Sequence, residues 1–177
     1  MISEKHVGRI RTITAAVVML LSLAACGYHL KGAGLKAPEG VETVAVTVLE
    51  NRTSESGIEM NFTNDLTYEF TRSKVLRVVD EKTADAILTG TITSLGVETI
   101  SYTTNYDSDE RRVRVTLNLS LVSRDGKVLW SDPALAGIEE FKVADDKFIT
   151  DRNRREAIET ISERIAERVH NRILQDF

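Results

Sequence analysis

Residues 112–121 alternate strictly between apolar and polar side chains, and this alternation restricts the fold more than any other stretch of the chain. One set of positions holds Val113, Val115, Leu117, Leu119 and Leu121, and the other holds Arg112, Arg114, Thr116, Asn118 and Ser120. Because successive side chains of a strand point to opposite faces, the pattern predicts a β-strand with one buried face and one wet or partner-binding face. The buried face needs a second layer of structure to cover it.

Two amphipathic segments are suited to form that layer. The first helix is predicted to start at a capping box of Ser56 and Glu59 and to end near Ser73. Its apolar residues recur at four-residue spacing: Ile58, Phe62, Leu66 and Phe70. The second helix, predicted over residues 151–174, has the apolar stripe Ile158, Ile161, Ile165, Val169 and Ile173. Its many Arg and Glu residues predict a solvated helix surface, with a partner-binding surface as the alternative.

The remaining segments predict further strands. Residues 43–49 form a first strand that a turn at residues 50–54 ends, and residues 75–79 return parallel to it through a right-handed crossover. Residues 86–95 form another strand, with Gly90 as a bulge or close-packing point. Asp125 and Gly126 predict a hairpin turn into residues 128–130, and residues 136–143 prolong that strand beyond Pro133. This order predicts an α+β, two-layer sandwich in which a mixed β-sheet of four to five strands carries both α-helices on one face.

The N-terminus has the three parts of a bacterial export signal. A basic region with Lys5, Arg9 and Arg11 precedes an apolar-to-small run over residues 15–25, and Leu23-Ala24-Ala25-Cys26 ends it. We expect residues 1–25 to be a lipoprotein signal peptide and Cys26 to carry a diacylglycerol thioether and an N-acyl chain. The apolar run has about half of the roughly 20 residues that a spanning helix needs, which disfavours the alternative of a transmembrane helix.

Cys26 would begin the mature chain and anchor it to a membrane, since two or three acyl chains hold a protein there stably. An Asp after the cysteine resembles an inner-membrane retention signal, and Gly27 stands in that position. We therefore expect an outer-membrane location, with the anchor in the periplasm-facing leaflet. Residues 26–40, rich in glycine, are the lipidated N-terminus and a short tether. Residues 41–177 form a single α/β domain.

Composition excludes several function classes. The chain has 23 Lys and Arg against 27 Asp and Glu, a net charge of −4, and loss of residues 1–25 makes the remainder more acidic. An acidic balance argues against nucleic acid as a partner. With one cysteine and three dispersed histidines, the sequence has no disulfide and no metal-ligand spacing. It also lacks catalytic motifs and cofactor-binding loops, so we expect neither an enzyme nor a bound cofactor or metal.

Several segments in a fixed order carry a family resemblance. They are Cys26-Gly27-Tyr28-His29-Leu30, the run from Val44 to Asn51-Arg52-Thr53, Ala84-Asp85-Ala86-Ile87-Leu88-x-Gly90, Lys127-Val128-Leu129-Trp130, and Arg155-x-Ala157-Ile158. Together they resemble the LptE family of lipopolysaccharide-assembly lipoproteins over nearly the whole mature chain. The resemblance implies a non-enzymatic outer-membrane lipoprotein that plugs the β-barrel of an LptD-type partner and helps that barrel assemble. It also implies help in delivering lipopolysaccharide to the outer leaflet.

The resemblance also gives candidate contact residues. Tyr102 and Tyr106, in the loop before the alternating strand, are expected to contact the barrel wall or acyl chains with their rings, with an ordinary flexible hairpin loop as the alternative. The first candidates to bind the phosphates of lipopolysaccharide are Arg111, Arg112 and Arg114, and the second are Lys142 and Lys147. The loop tip, residues 103–106, lacks the basic residues that the family has in this loop, so the charge has to come from the base of the loop.

A rival function remains open at the level of sequence. A periplasmic lipoprotein that activates a peptidoglycan synthase, or that acts as a transport auxiliary, can share the lipidated cysteine and the strand motifs. Such proteins usually reach across the periplasm through a long linker. The tether here spans only residues 27–40, which favours a domain held close to the membrane.

Overall fold

The computed structural model describes residues 36–100 and 110–175 of the chain. The signal peptide, Cys26, Tyr102 and Tyr106 lie outside these described residues. The expectations about lipidation and about the two tyrosines therefore stay predictions.

The described chain consists, in order, of β1 (Thr43–Val46), β2 (Glu50–Asn51), α1 (Ile58–Ser73), β3 (Arg77–Val78), β4 (Ala86–Thr99), β5 (Glu110–Ser123), β6 (Val128–Lys142) and α2 (Lys147–Gln175). The strands lie side by side in the order β3-β1-β4-β5-β6, and β2 pairs with β4 farther along. β1 runs parallel to β3 and β4, whereas β4, β5 and β6 are antiparallel. The predicted α+β fold with a mixed sheet is confirmed. Two strands of only two residues each raise the strand count above the predicted four to five.

Both helices lie on the same face of the sheet, as predicted. One core joins the apolar side of β5 to the stripes of the two helices, which contribute Ile58, Phe62, Leu66 and Phe70 from α1, and Ile158, Ile161, Ile165, Val169 and Ile173 from α2. Gly137 of β6 allows α2 to come close, because a Cβ at that position would lie 2.4 Å from Ile161 Cγ2. The apolar spacing therefore identified the inner face of each helix correctly.

The first predicted strand is interrupted. β1 ends at Val46, and β2 begins at Glu50, where the sequence predicted a turn. The backbone N–H of the buried Leu49 donates to Thr63 Oγ1 of α1 at 3.1 Å. This donor is lost to the strand ladder, because each backbone N–H supplies a single hydrogen bond. Pairing with β4 resumes at Glu50, which lies opposite Thr91.

The antiparallel strands are longer than predicted. β4 continues to Thr99, opposite Arg111, whereas the sequence predicted a strand that ends at residue 95. β6 runs through Pro133, because a register shift between Leu117 and Leu119 leaves that proline unpaired at the sheet edge. We call residues 93–99 of β4, 110–116 of β5 and 135–142 of β6 the distal extension. It lies beyond the residues of β4 that pair with β2.

The start of each helix differs from the prediction. Gly57 is the N-cap of α1 with φ 90°, and no side chain caps the helix there. Glu59 Oε2 does reach back, but it accepts from the N–H of Gly57 at 3.1 Å and not from that of the predicted cap, Ser56. α2 begins at Lys147 rather than at residue 151. The cause is Asp146, whose Oδ1 accepts from Phe148 N–H at 2.7 Å and caps the helix.

Gly90 marks a close approach of β4 to β5, as predicted, whereas the irregularity in the ladder lies between Ile92 and Ser94. A Cβ at position 90 would lie 2.2 Å from Asn118 O and 2.5 Å from Leu119 Cδ2. A backbone oxygen inside a sheet cannot move aside without breaking pairing. A side chain at position 90 therefore requires the backbone of β4 or β5 to shift.

We expect Gly90→Ala to lower the free energy of unfolding by about 1–3 kcal/mol, the usual cost of overpacking. Gly96→Ala is the matched control on the same strand, because a Cβ there would meet nothing within 4 Å. Urea unfolding of both variants measures the difference. Equal stabilities would show that the packing around Gly90 can relax.

Asp85 fastens the start of β4 to the start of β1. Its Oδ2 accepts from Thr43 Oγ1 at 2.7 Å and from the backbone N–H groups of Glu42 and Thr43 at 3.1 and 3.0 Å. Thr43 Oγ1 accepts in turn from Asp85 N–H at 2.9 Å. The Thr43 hydroxyl, followed by the Glu42 amide, lowers the pKa of Asp85 below its ordinary value. The Ala-Asp-Ala motif of the sequence thus has a structural purpose.

A lowered folded-state pKa makes the Asp85 contribution to stability depend on pH. The contribution is present above the unfolded pKa of about 3.9 and is lost as pH falls through the folded pKa. We expect Asp85→Asn to lower the melting temperature near neutral pH, and the gap to wild type to shrink as the pH falls below about 4. Thermal unfolding across this range checks it, with Glu39→Gln in the exposed turn before β1 as control. A gap that does not change with pH would exclude a role for the ionised carboxylate.

Candidate lipid-binding and partner surface

The sheet face opposite the helices is polar, and neither α1 nor α2 covers it. Its middle carries hydroxyl and amide side chains from β4, β5 and β6, namely Thr89, Thr91, Ser94, Thr116, Asn118, Ser120 and Ser131, which we call the open face. All of these side chains are exposed or half-buried. They lie here because the alternate residues of β5 are fully buried under the helices.

Charged residues begin where the open face enters the distal extension. Arg112 of β5 lies between Glu98 of β4 and Glu140 of β6 in one cross-strand row. Arg112 Nη2 is 2.7 Å from Glu140 Oε1. Opposite charges facing each other across strands attract, so the charge of Arg112 is already partnered within the sheet.

Arg114 lies in the neighbouring row and differs from Arg112 in its surroundings. Its cross-strand neighbours are Gly96 and Ile138, neither of which is charged. The Arg114 side chain is exposed. A guanidinium without a carboxylate facing it keeps its fork of donors available for an anionic ligand. Arg114 is therefore better placed than Arg112 to bind a phosphate group.

Arg111 does not join these two arginines. It lies between Thr99 and Phe141 and has the same parity along β5 as the buried Val113, so it is on the helix side of the sheet. The structure thus divides the predicted trio between two faces, with Arg112 and Arg114 together and Arg111 apart. The alternation of the strand already implied this separation, because residue 111 has the parity of the apolar positions.

The two predicted lysines lie at the distal end. Lys142, the last residue of β6, is exposed opposite Glu110, and Lys147, the first residue of α2, is also exposed. Phe148 follows Lys147 and is 84% exposed. Basic groups beside an exposed aromatic ring suit a ligand that has both phosphates and acyl chains. Phe148 could not be identified from the sequence, because an aromatic residue outside the apolar period of the helix gives no signal of its own.

The arginines of α2 were predicted to be a solvated surface, yet three of them, one helical turn apart, contact β6. Arg164 pairs with Glu139, Arg168 Nη1 donates to Ala136 O at 3.0 Å, and Arg172 Nη1 is 2.5 Å from Asp132 Oδ2. We call Arg164, Arg168 and Arg172 the arginine row. Their spacing shows that they share one side of the helix, but the sequence does not show that β6 lies beneath it.

A second unpredicted contact joins the loop before α1 to α2. Arg154 binds both carboxylate oxygens of Glu55, at 2.6 and 3.2 Å. Asn51 shapes the same loop, because its side-chain amide donates to Glu55 O and its Oδ1 accepts from Thr53 N–H. The Asn-Arg-Thr motif therefore holds a connection in the fold and is not part of the candidate surface.

The part of the chain that the structure describes contains neither a membrane-spanning helix nor a metal site. No helix in this part of the chain is both long and apolar enough to cross a bilayer. Across residues 36–100 and 110–175, no three His, Cys, Asp or Glu side chains lie together in a way that could hold a metal ion. The carboxylate of Asp146, in the loop before α2, is engaged as the cap of that helix.

The family described as LptE, lipopolysaccharide-assembly, matches residues 41–173. This range runs from just before β1 to the last turn of α2. The chain belongs to the LptE family. The resemblance inferred from the sequence motifs is confirmed, and membership makes lipopolysaccharide assembly the general role of the protein. A search of curated proteins finds no match.

Solved structures share the fold of this LptE-family chain at low sequence identity. Lipoprotein B from Nitrosomonas europaea has a TM-score of 0.55 and 15% identity, over 84% of this chain and 90% of its own. A protein from Xanthomonas campestris has a TM-score of 0.53 and 11% identity, over 79% and 90%. A minor lipoprotein from Acinetobacter baumannii has a TM-score of 0.52 and 9% identity, over 77% and 94%. At these identities the likeness shows the fold alone.

Proposed function

We propose that this LptE-family chain is an outer-membrane lipoprotein, anchored through Cys26, that plugs the β-barrel of an LptD-type partner. In this role it helps the barrel assemble and helps pass lipopolysaccharide to the outer leaflet. The observation that carries the proposal is the open face, a wide polar sheet surface that α1 and α2 leave uncovered. The role needs no catalytic step, cofactor or metal.

The chemistry of the open face suits the lumen of a large outer-membrane barrel. Such lumens are polar and filled with water. Ser, Thr and Asn side chains can exchange hydrogen bonds with lumen side chains or with bridging water, and they bury no charge when they do so. A hydrophobic surface in the same place would favour lipid or a second apolar layer.

The length of α2 supports a domain that extends through a barrel. Its 29 residues span about 43 Å at about 1.5 Å per residue. Lys36 N–H donates to Leu174 O at 3.0 Å, so the first described residue lies at the C-terminal end of α2. Lys147 and Phe148 lie at the other end. A span longer than the roughly 30 Å hydrocarbon core suits a domain that extends through a barrel toward the outer leaflet.

The distal end is the proposed contact for lipopolysaccharide. Arg114, Lys142 and Lys147 offer charge-assisted donors to phosphates, and Phe148 offers a ring to acyl chains. Tyr102 and Tyr106 belong to the segment that joins the distal ends of β4 and β5, and their proposed ring contacts fit the same ligand. Arg111 and Arg112 become secondary candidates for this contact. Arg111 lies on the helix side of the sheet, away from Arg114, and Arg112 is already bound by Glu140.

Site-specific photo-crosslinking in cells tests the plug. A photoreactive residue in place of Asn118, on the open face, should crosslink to a large outer-membrane β-barrel protein. The same residue in place of Glu81, exposed in the turn before β4 and remote from the distal extension, should give little of that product. Mass spectrometry identifies the partner. Recovery of a penicillin-binding protein from Asn118 would support the peptidoglycan-synthase activator and overturn our proposal.

Paired arginine variants test the lipid contact. Arg114→Ala should weaken lipopolysaccharide binding about tenfold or more, because a hydrogen bond to a charged group contributes about 1.5–3 kcal/mol. Arg112→Ala, one row away and partnered by Glu140, should change binding by less than about threefold. Binding of purified lipopolysaccharide to the full chain in detergent measures both. An equal or larger effect at Arg112 would show that the Glu140 pair opens to bind the lipid, contrary to this assignment.

A further inference from the structure

β6 is the end strand of the sheet, and no strand of the described residues pairs with its outer side. The strand is 15 residues long. A long edge with open N–H and C=O groups is a template for another strand, and it leads to dimerisation or aggregation unless it is blocked.

The backbone of β6 shows which groups point outward. Thr116 O accepts from Thr93 Oγ1 at 3.0 Å, and Glu110 O accepts at 3.0 Å from the backbone N–H of Ile100, just after β4. The backbone N–H and C=O groups of Thr116 and Glu110 thus point toward β4. In an antiparallel pair, residues facing each other either both point inward or both point outward. Their partners, Ala136 and Lys142, therefore direct N–H and C=O away from the sheet.

Side chains of α2 cap these outward carbonyls. Arg168 Nη1 donates to Ala136 O at 3.0 Å, and Asn153 Nδ2 donates to Lys142 O at 2.8 Å. The other two members of the arginine row hold β6 through carboxylates on either side of Arg168. The helix therefore holds the edge at several points along its length, and any incoming strand would have to displace these side chains.

Two residues of β6 add to this protection. Pro133 has no N–H to offer and lies at the irregular part of the strand. Glu139 places a charge on the helix side, where it pairs with Arg164. Edge prolines and inward-pointing charges are known devices that keep sheets from joining edge to edge.

β6 of a second copy of the chain is a strand that fits this edge. Antiparallel pairing of two β6 strands centred on Ile138 would place Leu135 opposite Phe141 and Glu139 opposite Gly137. Glu140 would then lie opposite Ala136. No like charges face each other in this register, and apolar side chains meet. Such an interface would be two-fold symmetric and would close at a dimer.

We propose that Asn153 and the arginine row form an edge guard, which keeps β6 from pairing with β6 of a second copy. The guard rests on hydrogen bonds within the domain and holds whether or not the barrel-plug role is correct. The edge guard gives a role to three arginines of α2 that, from the sequence alone, look like part of an ordinary solvent-exposed helix surface.

Removal of both caps tests the guard. The variant Asn153→Ala with Arg168→Ala, studied as the full chain in detergent, should form dimers that increase with protein concentration in sedimentation velocity. Wild type should stay monomeric. Hydrogen exchange should show at least tenfold slower exchange of the Ile138 and Glu140 amides in the dimer, because both then bond to the partner strand.

Three further variants separate the edge from general effects. Arg152→Ala removes an exposed arginine of α2 that pairs with Glu156 of its own helix, and it should behave as wild type. Ile138→Pro, added to the double variant, removes the central outward N–H and should restore the monomer. A folded double variant that stays monomeric, or a dimer that survives Ile138→Pro, would overturn the proposal. If circular dichroism shows the double variant unfolded, Arg168→Ala alone is judged by the same outcomes.

Discussion

The burial of one side of β5 is the interaction on which the rest of the structure depends. Its apolar residues at alternate positions are fully buried, and burial of a Val or Leu side chain contributes about 1.5–3 kcal/mol. β5 is the middle strand of the antiparallel trio, so its register also aligns β4 and β6. A slip of one residue would move Arg112 and Arg114 into the core. The alternation therefore determines which face the helices cover and which stays open.

The distribution of candidate ligand-binding cations follows from the same pleat. Arg111, Arg112 and Arg114 are close in sequence, yet the strand puts the first on the helix side and the others on the open face. Cross-strand partners then distinguish the remaining two, because Glu140 faces Arg112 whereas Ile138 faces Arg114. Proximity along the chain predicted a cluster, and the geometry of the sheet reduces it to one available arginine.

The features that the sequence predicted correctly depend mainly on the spacing of residues over a short stretch of the chain. The inner faces of α1, α2 and β5 and the close approach at Gly90 followed from patterns within a short window, and the parallel return of β3 followed from the rule for a helix that connects two strands. The failures depend on distant partners. Thr63, on a later helix, breaks the first strand at Leu49, and the pairing with β5 extends β4 through a segment with loop-like composition. The arginine row binds residues that lie 25 to 40 positions earlier in the chain, which periodicity within the helix cannot show.

The edge guard and the open face act together to control which other proteins the sheet can bind. A strand edge binds through main-chain hydrogen bonds that almost any extended segment can form, so an open edge gives affinity with little selectivity. Side chains such as Thr116 and Asn118 depend on the position and chemistry of each partner group. In the proposed role as a barrel plug, the protein would meet many extended segments during assembly. Closing the edge of β6 while leaving the polar face open limits recognition to the surface that can discriminate between partners.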